Sequence, residues 1–196
     1  MKNFKVLKLD DADKKLIRLL QQDGRATLLD LGRKLGISHV AVRKRFSKLE
    51  ENKVFKVRAE LNIKKLGFKA VLVFMEIEGP DVLDELRKKF ERCPRIVMLS
   101  TLMGGYNMMA MMIAEDDSVL EGITSVCAIR RLKGIRRTEV YVLGEIFEPQ
   151  YLPIKFSPEE KSAIPPCEAV DCSKCPRYSV DLCLGCPATT CYKGPL

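Results

Sequence analysis

The order of hydrophobic periodicities predicts an α+β chain in three parts, and three observations carry that prediction. Residues 27–52 of the 196 read as two short helices joined by a tight glycine turn, the second of them basic. Residues 70–147 then change period in the order strand, helix, strand, strand, helix, strand. Six of the eight cysteines crowd the last thirty residues, behind a proline-punctuated stretch. The divisions expected are a mainly helical unit over 1–63, a linker over 64–68, a sheet domain over 69–148, a Pro-rich linker over 149–166 and a Cys-rich tail over 167–196.

In the first part, Leu9-Asp10-Asp11-Ala12-Asp13 opens a helix with acidic residues where the helix dipole favours them, and Asp23-Gly24 ends it. Thr27 caps the next helix, with Asp30 three residues on as the acidic half of a capping box. Leu28, Leu31 and Leu35 give an apolar stripe, and Gly36 supplies a left-handed stop. Ser38 caps a third helix running to about Asn52. Val42, Phe46 and Leu49 recur at i, i+4 and i+7 and form its buried face. Val40, Arg43, Lys44, Ser47 and Lys48 lie on the other side, which is the pattern of a helix-turn-helix with a DNA-reading second helix. A basic amphipathic helix that merely solvates a surface is the competing reading. Alternation at Val57, Ala59, Leu61 and Ile63 predicts a β wing beside the helices, completing a winged helix-turn-helix.

Charge distribution supports the DNA reading. The net charge is +8. Through Leu66 there are 18 Lys and Arg against 8 Asp and Glu, and in the remainder 16 against 18. A basic N-terminal third beside a near-neutral remainder is the electrostatic footprint of nucleic-acid binding by one domain, although lysine-rich surfaces also serve solubility. Hydrophobic content of 46% with 31% charged residues is ordinary for a globular protein. Residues 1–9 alternate Lys with apolar side chains and lack the block of a signal peptide. No apolar run approaches the roughly 20 residues that cross a bilayer. A cytoplasmic protein with no membrane partner is expected.

In the second part, residues 70–77 form a nearly continuous apolar strand. Pro80-Asp81 opens a helix whose Val82, Leu83, Leu86 and Phe90 share a face. Strands follow over 96–103 and 108–114, across the Gly104-Gly105-Tyr106-Asn107 turn. Ser118 and Glu121 are expected to cap a second helix lined by Leu120, Ile123 and Cys127, and residues 135–147 make a last strand. This β-α-β-β-α-β order is the ferredoxin-like split unit, with helices on one face of an antiparallel sheet. The other face carries apolar residues that no helix of the chain covers, a physical reason for self-pairing. Met98, Met103, Met108, Met109, Met111 and Met112 cluster here. Cu(I) ligation is one reading and adaptable core or interface filling the other.

Leu9-Asp10-Asp11-Ala12-Asp13-Lys14-Lys15-Leu16-Ile17, then Asp23-Gly24-Arg25-Ala26-Thr27, Leu35-Gly36-Ile37-Ser38 and Arg43-Lys44-Arg45-Phe46 with Leu49-Glu50, resemble the start of the Lrp/AsnC family of bacterial and archaeal feast/famine transcription regulators. The strand-helix order of the second part resembles that family's RAM domain. The resemblance implies that residues 38–51 enter the major groove and that dimers bind palindromic sites. It further implies that the sheet domain makes a homodimer, stacks into tetramers or octamers, and holds a small effector such as an amino acid. Gly104, Gly105, Tyr106 and Asn107 stand where the family carries a Gly-x-Tyr-Asp motif, with asparagine replacing the aspartate. Asn52-Lys53-Val54-Phe55 stands where the family usually turns at a glycine.

By helix position, Ser38, His39, Val40 and Arg43 come nearest base edges, and a guanidinium at Arg43 can read guanine bidentately. Lys44, Ser47 and Lys48 are placed for phosphates, which position the protein without specifying sequence. Arg45 lies close to the buried side and is read as structural. His39, the only histidine, has a plain solvent-facing alternative.

The tail reads C-x4-C-x2-C-x7-C-x2-C-x4-C. Cys172, Cys175, Cys183 and Cys186 form two C-x2-C pairs, the arrangement of a structural four-thiolate zinc site, with Cys167 and Cys191 spare. An iron–sulfur cluster competes, because the Cys167-x4-Cys172-x2-Cys175 spacing is that of plant-type ferredoxins and proline follows each C-x2-C. Disulfides or reversible thiol chemistry are the third reading. Cys93 and Cys127 are read as buried thiols without a role. The function expected is a sequence-specific regulator binding double-stranded DNA. A nucleoid-organising protein of low specificity and a redox or electron-transfer protein are the alternatives. No Gly-rich phosphate loop or nucleophile constellation suggests an enzyme.

Overall fold

The structure, a computed structural model, describes residues 6–168 and 170–196, except the side chains of Ala128 and Arg130. The expectations that touch residues 1–5 lie outside the described residues. Two compact units divide the chain, Met1–Ala59 and Glu60–Leu196.

In the first unit, helix α1 (Asp11–Gln22) starts where Asp10 provides a reciprocal cap. The Asp10 carboxylate accepts from the Asp13 N–H at 2.7 Å, and the Asp13 carboxylate accepts from the Asp10 N–H at 3.3 Å. Helix α2 (Leu28–Leu35) begins at Thr27, whose hydroxyl accepts from the Asp30 N–H at 3.1 Å and donates to the Asp30 carboxylate at 2.6 Å. Gly36, at φ 71°, turns the chain in the left-handed region that a side chain resists. Helix α3 (His39–Glu51) follows, with Ser38 Oγ accepting from the Ala41 N–H at 3.2 Å. Leu16, Leu31, Val42 and Leu49 form the fully buried centre, and Phe46 meets Phe55 edge-on at 5.0 Å between ring centres.

The end of α3 resolves the departure at Asn52-Lys53. Lys53 has φ 56°, its N–H donates to the Glu50 carbonyl at 2.8 Å, and the Val54 N–H donates to the Leu49 carbonyl at 2.9 Å. This pair of bonds is the Schellman closure, made here by a lysine where glycine is usual. The expected wing does not form: residues 54–60 carry no strand. Val54 and Phe55 pack on the helices, whereas β1 (Leu61–Asn62) pairs with β6 (Tyr151–Leu152) inside the second unit. Leu61 and Ile63 therefore belong to the second unit, where Ile63 and Leu152 share a small core.

That unit is built on β2 (Lys69–Ile77), α4 (Pro80–Glu91), β3 (Ile96–Thr101), β4 (Met108–Ala114), α5 (Asp117–Ser125), the short α6 (Ala128–Arg131) and β5 (Ile135–Val142). The sheet runs β3-β4-β2-β5, antiparallel throughout. Val71, Val73 and Met75 alternate to one face and pack with Leu86 and Phe90 of α4 and Val119 and Ile123 of α5. Two local expectations shift. Asp116 rather than Ser118 caps α5, accepting from the Val119 N–H at 2.7 Å. The last strand ends at Val142 instead of continuing to 147. The methionines divide by strand alternation: Met108 and Met112 are buried in the main core, Met109 and Met111 are half-buried, and Met98 and Met103 are exposed. Such a spread fits packing and not a shared copper site.

The Cys-rich segment is not a separate body. It belongs to the second unit, through a short 3-10 turn (Cys172–Lys174), the one-turn helix α7 (Pro176–Ser179) and irregular chain. Segments so poor in apolar groups cannot build a core alone, and this one closes over the helical layer instead.

Candidate nucleic-acid interface and thiol cluster

Helix α3 presents the expected face. Ser38, His39, Val40, Arg43, Lys44 and Lys48 are exposed, and Ser47 is half-buried. Val40 is 62% exposed on this surface, an apolar side chain suited to contact rather than to water. Among the described residues, no carboxylate pairs with Arg43, Lys44 or Lys48, while Arg45 is tied down by Asp10 and Asp13, each at 2.6 Å. Asp13 is almost wholly buried, so Arg45 fastens α3 to α1. The bond from the Asp13 backbone N–H, then the Arg45 guanidinium, holds the Asp10 carboxyl below its ordinary value. Three uncommitted cations on one face, beside one cation committed to the fold, is the division of labour expected of a DNA-reading helix.

At the β3–β4 hairpin, Gly104 and Gly105 are exposed, and Tyr106 and Asn107 are half-buried. Arg137 stacks on the Tyr106 ring at 5.3 Å, and Phe74 lies 6.0 Å from the same ring. Asn107 is occupied. Its amide Nδ2 donates to the Ile77 carbonyl at 2.7 Å and its Oδ1 accepts from the Ile77 N–H at 2.8 Å. An aspartate could not supply the first of these bonds. The substitution that removed a charge thus acquired a structural task, clamping the end of β2.

Five of the tail cysteines gather at the helical layer of the sheet domain. Cys167, Cys172, Cys175, Cys183 and Cys186 line one cavity of about 80 Å³ at the helical layer, and Cys93 and Cys127 line it too. Burial, then the proximity of Cys127, pushes the Cys93 thiol up to about 12, with Cys167 a further neighbour. Burial, then Cys93, pushes Cys186 up to about 12, with Cys167 again nearby. Cys172 is raised by burial, with Cys183, Cys191 and Cys175 as its further neighbours. Cys93 and Cys127 thus share one cavity with five of the tail cysteines. In sequence both read as buried thiols without a role, because nothing local links them to the tail; their neighbours lie in segments brought in by the fold. Among the described residues, no three His, Cys, Asp or Glu donors converge closely enough for one metal ion.

A buried polar network docks the tail. Arg95 donates to Glu115 through Nε at 2.9 Å and Nη2 at 2.8 Å, and Nη2 also donates to the Gly185 carbonyl at 2.8 Å. The Tyr192 hydroxyl donates to Glu115 at 2.7 Å. Arg177 of α7 donates to Glu121 of α5 at 2.9 Å. Gly185, at φ 82°, sits where an added Cβ would lie 3.0 Å from the Cys191 carbonyl oxygen.

Comparisons with known proteins agree with this anatomy. The model of the AsnC-type helix-turn-helix domain matches residues 9–50. The HTH-type transcriptional regulator LrpA of Pyrococcus horikoshii is 30% identical over 131 residues, covering 61% of this chain and 93% of that protein. The HTH-type transcriptional regulator Ptr1 of Methanocaldococcus jannaschii is 32% identical over 109 residues, 55% of this chain and 74% of its own. The crystal structure of the leucine response regulatory protein LrpA of Mycobacterium tuberculosis superposes with a TM-score of 0.64 at 25% identity, over 72% of this chain and 97% of that one. A Neisseria meningitidis transcriptional regulator solved with L-Met shares the fold, with a TM-score of 0.63 at 17% identity over 72% and 93%. Each of these matches leaves more than a quarter of this chain uncovered. No described helix is long and apolar enough to cross a membrane. With its capped α2–Gly36–α3 turn, its β-α-β-β-α-β sheet domain and a relative matched over nearly its whole length, the chain belongs to the Lrp/AsnC family of helix-turn-helix transcriptional regulators.

Proposed function

We propose that this regulator reads duplex DNA with the exposed face of α3, as a symmetric homodimer, in the cytoplasm and without catalytic activity. The observation that carries the reading is the contrast within one helix. Arg45 is consumed by Asp10 and Asp13, while Arg43, Lys44 and Lys48 are exposed. In this reading Arg43 contacts base edges with Ser38, His39 and Val40 beside it, and Lys44, Ser47 and Lys48 hold phosphates. Self-pairing is supported by the sheet face opposite the helices. There Leu72, Phe74, Met109 and Met111 are only half-buried, and Met98 and Tyr141 are exposed. Tetramers or octamers are further assembly of the same dimer. A small effector, an amino acid or a molecule of similar size, is assigned to the Gly104-Gly105-Tyr106 hairpin, whose glycine backbone is accessible. Since the Asn107 side chain is committed to Ile77, it is not the residue assigned to the ligand. The tail thiols hold a metal, zinc or iron–sulfur, that modulates the regulator.

The test is Arg43→Ala assayed on selected and random duplexes across a salt series. Loss of about 1–3 kcal/mol of discrimination at one base position is expected. Equal weakening on all DNA would reduce Arg43 to a phosphate contact. Absence of binding by the parent protein at low salt would remove the DNA reading altogether.

A further inference from the structure

We propose that all eight cysteines of the chain form two four-thiolate sites, Cys93/Cys127/Cys167/Cys186 and Cys172/Cys175/Cys183/Cys191, each holding one cubane iron–sulfur cluster. This deepens the reading of the tail as a metal-binding segment and rests on it.

The grouping comes from neighbourhood in space. Cys93 has Cys127 and Cys167 beside it, and Cys186 has Cys93 and Cys167. Cys172 has Cys183, Cys191 and Cys175. Two sets of four emerge with no thiol left over. They adjoin one another, because the Cys186 N–H points to Cys172 and seven of the eight thiols line the same cavity. The first set draws two ligands from the sheet domain, one before β3 and one before α6, and two from the tail. The second set lies wholly in the tail but abuts α5, since a Cβ added at Gly122 would lie 3.6 Å from the Cys183 sulfur.

The chemistry favours clusters over single ions. Zinc requires four sulfurs drawn within about 2.3 Å of one point, and no three donors among the described residues are grouped to share one ion. A cluster is wider and is held by thiolates spaced round a cavity. Cys183 and Cys186 fall in different sets; two-cluster ferredoxins likewise lend the last cysteine of a run, the one before proline, to the other cluster, although there it follows an x3 gap. Cys175 and Cys186 each precede a proline, as the last cysteine does in such runs.

Each site also has its own cation, buried at Arg95 and half-buried at Arg177. Arg95 lies beside Cys186 and Cys93, and Arg177 beside Cys183 and Cys175. Four thiolates carry more negative charge than an iron–sulfide core neutralises, so a desolvated guanidinium offsets part of the burial cost. Arg177 adds an independent sign. Its Nε is buried and without a hydrogen-bond partner among the described residues, and thiolate or sulfide sulfur is an acceptor for it. The tail is thereby joined to the sheet domain through metal, so loading one site stiffens the layer that carries α4 and α5.

The test is anaerobic reconstitution of the full chain with ferrous iron and sulfide, and separately with zinc, followed by metal and acid-labile sulfide analysis. About eight iron and eight sulfide per chain are expected, two four-iron clusters. Cys93→Ser with Cys127→Ser should halve both, and Cys175→Ser with Cys191→Ser should halve them from the other side. Circular dichroism and duplex binding check that each variant folds. Electron paramagnetic resonance of the reduced parent protein counts clusters without mutation, two interacting centres being expected. Full iron in the Cys93/Cys127 variant, a single centre in the parent, zinc retained in preference to iron, or no metal retained would each overturn the two-cluster assignment. Duplex binding in the same samples separates the readings: lost clusters with intact DNA binding defeat only this proposal, and loaded clusters without DNA binding defeat only the regulator.

Discussion

Replacing Glu115 with alanine leaves the Arg95 guanidinium buried without its counter-ion. The two side chains are 2% and 8% exposed. Glu115 accepts both guanidinium bonds and a third from the Tyr192 hydroxyl, so the change strands a charge and a phenolic donor together. Removing one partner of a buried ion pair costs about 3–5 kcal/mol, most of it the penalty of the charge left behind. The double replacement Arg95→Met with Glu115→Leu removes the stranded charge. It should cost less than either single change, since apolar substitution of a buried pair is often nearly neutral; what remains is the lost bond to the Gly185 carbonyl. Urea unfolding of metal-free protein, followed by circular dichroism, gives the stabilities. Thiol titration reports whether the tail has come away from the helical layer. Glu115→Ala should lower the urea midpoint strongly and speed the reaction of Cys93 and Cys186. A single variant costing under about 1 kcal/mol, or a double variant as damaged as the single, would show that the pair does not dock the tail.

Three further outcomes follow from particular bonds. Lys53→Gly should stabilise the first unit by about 0.5–1 kcal/mol, raising its thermal midpoint, because glycine adopts the left-handed closure of α3 without the Cβ clash. Asn107→Asp should destabilise the second unit by about 1–3 kcal/mol, because a carboxylate would face the Ile77 carbonyl that the amide now donates to; an unchanged denaturation midpoint would contradict the clamp. Asp10, held below its ordinary 3.8 in the folded state, contributes stability that is complete above that value and lost as pH falls through the lower folded one. Asp10→Asn should therefore flatten the acid limb of the stability–pH curve, and an unaltered limb would mean the cap and Arg45 do not depend on its charge.

The helices of the first unit are legible residue by residue, because their signals are local. Asp10, Thr27 and Ser38 bond to backbone three residues ahead, and Gly36 needs only its own φ. The strand order of the second unit is legible for the same reason, as period and length suffice to separate strand from helix. Basic character on α3 and the idle cations Arg43, Lys44 and Lys48 could likewise be read from helical spacing.

The wing and the thiol sites show where local signals stop. Alternation across residues 57–63 is real, but whether it marks a wing or a strand of the next unit depends on its partner, and Leu61 finds Leu152. Asn107 could be seen to lack a charge, not to grip Ile77 from across the sheet. Cys93 and Cys127 carry no spacing motif, and the tail's own palindrome invites pairing Cys183 with Cys186. Only packing, through the Arg95–Glu115–Tyr192 network and the seat of α7 on α5, carries the tail onto the helices and brings five of its thiols to the cavity that Cys93 and Cys127 also line. Sequence alone thus determined the helices of the first unit, the order of strands and helices in the second and which helix face is basic, because periodicity and hydrogen bonds a few residues apart decide those. Tertiary structure decided which buried groups meet, because desolvated charges and thiols take whatever partners the closed core leaves beside them.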